Sequence, residues 1–113
     1  WARELSVHAP SLSVFRYAGV DKEATDASVD ADRDRIMQSD IILTSYQVLR
    51  REVHFSRPPK TLRHQKRYVV PRTPLLAVHW WRVVLDEAQM VEGPVSQHAE
   101  MALKLSGTHR LAA

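Results

Sequence analysis

The chain has 113 residues, enough for one domain at most. Hydrophobic residues make up 44%, which argues against global disorder, and no apolar run approaches the roughly 20 residues that a membrane-spanning helix needs. Cysteine is absent, which removes disulfides and thiolate zinc sites and fits a reducing compartment. The net charge of +3 is distributed unevenly. Residues 21–40 carry seven of the thirteen acids, whereas residues 50–72 carry eight of the sixteen Lys and Arg. A basic block of that kind can meet phosphates, or it can be a solvated loop. A start at Trp1 rather than Met, and an end at Leu111-Ala112-Ala113, suggest a piece of a longer protein. No secretory or transit pattern is visible among the first residues.

In chain order, residues 1–9 read as the end of a helix broken by Pro10. Leu12 to Tyr17 mixes β-formers with alternation and reads as a strand, ended by Ala18-Gly19. An acidic loop follows, and Asp30 to Ser39 is predicted as a short, polar, solvent-facing helix. Ile41-Ile42-Leu43 is a short apolar run suited to a strand covered on both faces. Ser45 can cap the next helix, which would carry Val48 and Leu49 inward and Arg50 and Arg51 outward. Residues 53–74 hold four of the six prolines and most of the basic excess, and are predicted to be an irregular connection or insertion. Trp80 to Leu85 is the strongest strand signal and runs into Asp86-Glu87. Pro94 suits the first turn of a helix over about Val95 to Leu105, with Ala99, Ala102, Leu103 and Leu105 as its inward stripe. Gly107 would end it, and His109 to Ala113 would begin another strand. The alternation predicts an α/β layer fold with a parallel sheet, with ligands at the carboxyl ends of its strands.

Three motifs carry chemistry. Val83 to Gln89 is an apolar strand delivering two adjacent carboxylates to its tip. Such a pair suits nucleotide hydrolysis: a strand-end Asp helps hold magnesium, often through water, and its neighbour can orient and deprotonate the attacking water. The same letters also fit a helix cap beside a solvated acid. Asp40 to Tyr46 places Thr44 and Ser45 where a helix begins, fit for phosphate contact or for plain capping. In Leu105 to Leu111, Arg110 enters a strand, where a buried guanidinium would need a carboxylate or phosphate partner. The six histidines show no HExxH or other metal spacing, and Met37, Met90 and Met101 read as packing residues. Trp80 and Trp81 should face opposite sides of their strand, one in the core and one under a covering helix.

The order of these motifs resembles the first motor lobe of Swi/Snf-type members of helicase superfamily two. Trp1, Glu4, Pro10, Leu12, Val14, Tyr17 and Gly19 are similar to the family's opening passage, and the likeness covers nearly the whole chain apart from the acidic loop and residues 53–74. Trp80 to Glu92, with its DEAQMVE run, resembles the SHPRH-like ubiquitin-ligase branch, as do Ala99 to Ala102 and Leu105-Ser106-Gly107.

The resemblance implies part of a RecA-like lobe spanning residues 1–113, a mostly parallel sheet between helical layers, incomplete at both ends. It implies ATP and Mg2+ as cofactors, with Asp86 and Glu87 as metal ligand and catalytic base and Gln89 coupling the nucleotide site to the next motif. Gln89 stands where most relatives have His, and an amide cannot titrate near neutral pH. Thr44 and Ser45 would contact the DNA backbone, and Arg50 and Arg51 are the cationic candidates beside them. Implied partners are double-stranded DNA or chromatin, the rest of the lobe, the second lobe, and ubiquitin-conjugating machinery; the compartment is the nucleus, with no membrane. The 113 residues contain no GxxxxGK[ST] loop, so the chain alone is not expected to hydrolyse ATP. The rival expectation is a motor-like lobe that binds DNA, chromatin or protein without hydrolysis.

Overall fold

The computed structural model describes residues 1–21, 23–56, 73–91 and 96–113. The basic segment 57–72, most of the predicted insertion, and Pro94 lie outside the described residues.

Among the described residues, four short strands form two parallel pairs. The first joins β1 (Val14–Arg16) to β2 (Ile41–Leu43), with Val14 opposite Ile41 and Arg16 opposite Leu43. A polar clasp precedes it: Ser13 donates its backbone N–H (2.8 Å) and its hydroxyl (2.7 Å) to the Asp40 carboxylate, and Asp40 N–H donates to the Ser13 hydroxyl oxygen. The clasp sets the register of strands only three residues long. The second pair joins β3 (Trp80–Leu85) to β4 (Gly107–Ala112), with Trp80 opposite Gly107 and Leu85 opposite Ala112. The predicted α/β class with parallel strands is borne out; among the described residues the ladders make two pairs rather than one continuous sheet.

Helices bridge the pairs, as parallel strands require. α1 (Ala2–His8) comes first, and α2 (Asp26–Met37) connects β1 to β2. α2 starts four residues earlier than predicted, because the Thr25 side chain accepts from Ser28 N–H and fixes the first turn. It is polar as expected: only Ile36 is buried, while Arg35 lies over the Phe15 ring at 4.8 Å. α3 (Tyr46–Glu52) follows β2 with Ser45 as its cap, Val48 and Leu49 buried, and Arg50 and Arg51 exposed. α4 (Gln97–Lys104) connects β3 to β4, capped by Ser96.

The α4 stripe differs from the prediction. Met101, Ala102 and Leu105 are buried, Met101 completely, whereas Leu103 is 74% exposed. Adjacent positions on a helix lie about 100° apart, so burying Met101 and Ala102 turns Leu103 to solvent. Met37 and Met90 are also exposed, so of the three methionines only Met101 packs. Trp80 is half-buried and donates its indole N–H to Leu75 C=O (3.0 Å). Trp81 is not covered: it is 69% exposed and meets His109 edge-on. Gly107 opens β4 rather than ending the helix; a Cβ there would lie 3.1 Å from Val83. Arg110 is exposed and, among the described residues, has no anionic partner; it donates to the carbonyls of Ala102 (2.9 Å), Leu103 and Leu105, stabilising the last turn of α4.

One buried acid ties the first half of the fold together. Glu52, 1% exposed, accepts from the Tyr17 hydroxyl (2.5 Å), Val20 N–H (2.8 Å) and the Thr73 hydroxyl. Burial first, then this hydrogen bond, push the Tyr17 phenol far above its ordinary range, so it remains a donor. The chain reaches Glu52 by turning at Gly19, whose φ of +95° is one that L side chains rarely adopt. A Cβ on Gly19 would also sit 3.1 Å from Val48 and Arg51.

Candidate functional site

β3 ends in two polar residues because the apolar run stops at Leu85 and the chain turns immediately. Asp86 Oδ1 accepts from Glu87 N–H (3.1 Å), and Met90 N–H closes the turn onto Glu87 C=O (2.9 Å). Glu87 has φ +53°, the one positive φ outside glycine among the described residues. A left-handed glutamate costs about 1–2 kcal/mol, and such strain persists where its surroundings over-determine it.

Hydrogen bonds from β4, α3 and Trp1 grip this tip. Ala88 N–H donates to Ala113 C=O (2.9 Å), and Ala113 N–H to Leu85 C=O (3.0 Å), so the end of β4 runs alongside the acids. The Tyr46 hydroxyl donates to Asp86 C=O (2.8 Å), and the Trp1 indole N–H donates to Asp86 Oδ2. The Tyr46 phenol is raised above its usual value by burial first, then by the Asp86 and Glu87 charges. The Gln89 amide donates to Glu87 Oε2. Both acids are exposed, and each Asp86 oxygen, with one donor, keeps a lone-pair direction for a metal-bound water. The donor set therefore fits a hydrated magnesium ion, which prefers few carboxylates and retained waters.

Thr44 and Ser45 emerge at the carboxyl end of β2, as Asp86 and Glu87 do at that of β3, and Tyr46 joins the two tips. The Ser45 side chain accepts from Val48 N–H, so its own proton can go to a second acceptor. The Thr44 hydroxyl is engaged, donating to Tyr17 C=O (3.1 Å). Beside them a broad, open depression is lined by Arg16, Leu43, Thr44, Ser45, Arg50 and Arg51 among others; Asp86 and Glu87 do not line it. Arg51 donates to Ala18 C=O (2.7 Å) and Arg50 reaches Gln97 (3.4 Å), each retaining further N–H groups.

Trp1 and Tyr46 are the site residues that residue-by-residue reasoning did not single out. They meet Asp86 across 85 and 40 residues of sequence, a separation with no local signature. The motif order supplied the one hint, since both lie in the segments that carry the family likeness. No helix among the described residues is long and apolar enough to cross a membrane.

Comparison with known proteins agrees with the motif order. The chain is 40% identical over 119 aligned positions to the human E3 ubiquitin-protein ligase SHPRH, covering 97% of this chain and 7% of that protein. It is 33% identical to the DNA repair protein RAD5A of Arabidopsis thaliana, over 97% of this chain and 9% of that protein. Among solved structures it superposes on the Sulfolobus solfataricus SWI2/SNF2 ATPase core in complex with dsDNA with a TM-score of 0.63 and 25% identity, over 99% of this chain and 18% of that one. The chain thus spans less than a tenth of these curated relatives. The SNF2-related domain family matches residues 1–113 from end to end, and the chain belongs to that family.

Proposed function

We propose that this chain is part of the first, nucleotide-binding lobe of a motor that couples ATP hydrolysis to movement on double-stranded DNA, acting in the nucleus on chromatin or in DNA repair. The observation that carries this reading is the β3 tip: two adjacent exposed acids, one on a strained backbone, beside the hydroxyl-bearing end of β2. Asp86 would hold Mg2+ through water, and Glu87 would orient and deprotonate the attacking water. Bound Mg-ATP supplies the electrophilic phosphorus and the charge neutralisation. Ser45, Arg50 and Arg51 would face the DNA backbone from the open depression, and Thr44 would shape that turn. Gln89, already on Glu87, would relay nucleotide state toward the following segment. The relatives' names include an E3 ubiquitin ligase, so a parent that joins the motor to ubiquitin transfer is part of the proposal.

The rival is a lobe that binds without hydrolysing. It is favoured by the engagement of both acids, Asp86 by Trp1 and Glu87 by Gln89. The deciding experiment is ATP hydrolysis by the full-length parent across a magnesium titration, wild type against Asp86→Asn. The motor reading predicts DNA-stimulated turnover in the wild type, and in Asp86→Asn a loss of at least about tenfold with a raised magnesium requirement. A wild-type parent that binds duplex DNA but shows no turnover would establish the rival.

A further inference from the structure

The peptide plane between Asp86 and Glu87 decides where both carboxylates point. Its carbonyl is that of Asp86, and its rotation sets the Asp86 ψ and the +53° φ of Glu87 together. Among the described residues, one side chain outside the β3–β4 unit holds that carbonyl: the Tyr46 hydroxyl, at 2.8 Å. Tyr46 directly follows Thr44 and Ser45 and is the first residue of α3. Its ring is half-buried and rests edge-on against His98 of α4, centroids 6.0 Å apart at 74°. Among the described residues this is the one side-chain hydrogen bond between α3 and residues 85–90. The link is stiff: an aromatic side chain has two torsions, and packing against His98 restricts both.

We propose that Tyr46 is a positioning residue that transmits DNA engagement at the β2–α3 turn to the peptide plane carrying the two acids. This proposal rests on the motor reading above. Tyr46 touches neither nucleotide nor DNA in it. A phosphate drawn onto Ser45 or Arg50 displaces the start of α3 by a fraction of an ångström. The phenol then moves the Asp86 carbonyl, and the Glu87 backbone, which shares that peptide plane, turns its carboxylate with it. The site thereby becomes competent when DNA is present.

Tyr46→Phe in the full-length parent removes the hydroxyl and leaves the ring against His98. ATP turnover is measured with and without duplex DNA, alongside DNA affinity and the KM for ATP. The expected result is a fall of about three- to tenfold in the ratio of DNA-stimulated to DNA-free kcat, the worth of one hydrogen bond expressed in the transition state. DNA affinity and the KM for ATP should stay within about twofold. An unchanged ratio, or an equal fall in both rates, would overturn the coupling role. Wild-type stimulation undiminished in Tyr46→Phe sinks the coupling alone, whereas a wild type without DNA stimulation sinks the motor reading and the coupling together.

Discussion

Replacing Glu52 by Ala should be among the most destabilising single changes in the described part of the chain. The side chain is 1% exposed and accepts three hydrogen bonds, from the Tyr17 hydroxyl, Val20 N–H and the Thr73 hydroxyl. A buried donor left without an acceptor costs about 1–3 kcal/mol. The two hydroxyls can partly reorient, whereas the Val20 N–H cannot, so the three losses together should come to about 3–5 kcal/mol. That is a large share of the 5–15 kcal/mol typical of a folded domain. Glu52→Gln should cost only about 1–2 kcal/mol. Its Oε1 can keep Tyr17 and Val20, and its amide can donate to Thr73 if that hydroxyl turns to accept. A urea titration read by tryptophan fluorescence tests both variants, because Trp80 is hydrogen-bonded to Leu75, two residues beyond Thr73. A loss below about 1 kcal/mol for Glu52→Ala, or equal losses for Ala and Gln, would refute the idea that three donors depend on this acid.

Met101→Ala should cost about 2–4 kcal/mol, because it empties a fully buried site, while Leu103→Ala should stay within about 0.5 kcal/mol. Thermal melts of the pair check the rotational setting of α4, and the reverse order would contradict it. Asp40 carries a pH prediction. Its carboxyl is held below the usual 3.8 by the Ser13 backbone N–H first and the Ser13 hydroxyl second. A depressed folded-state value means that the clasp's ionic contribution is present above about pH 3.8 and disappears as pH falls through the lower folded-state value. The stability difference between wild type and Asp40→Asn should therefore shrink across the acid end of a pH series; a difference constant to pH 2 would count against the clasp.

Much of this fold was legible in the sequence because its strands are short continuous apolar runs and its helices carry caps. Ile41-Ile42-Leu43, Trp80 to Leu85 and the Ser45 cap all lie where the pattern places them. The start of α2 was misread because acids suggest a loop, although Thr25 is a local start signal. Leu103 was placed inward because it continues the helical spacing of Ala99 and Ala102; packing turned the Met101 side of the helix inward instead. Arg110 was assigned an anionic partner on the assumption of burial, whereas at the surface it reaches the carbonyl end of a helix. Tip positions of Thr44, Ser45, Asp86 and Glu87 follow from strand ends, which pattern can find. The contacts of Trp1 and Tyr46 with Asp86, and the Glu52 node, could not be found that way, since each joins residues distant in sequence and is set by tertiary packing.

The most direct test of the central claim is Glu87→Gln in the full-length parent, with ATP binding and single-turnover hydrolysis measured on the same preparation in the presence of duplex DNA. An amide has nearly the shape of the acid but cannot accept the water's proton, so hydrolysis should fall by about 100-fold or more. Nucleotide affinity should stay within about threefold. Hydrolysis at the wild-type rate in that variant would contradict the assignment of Glu87 as the base.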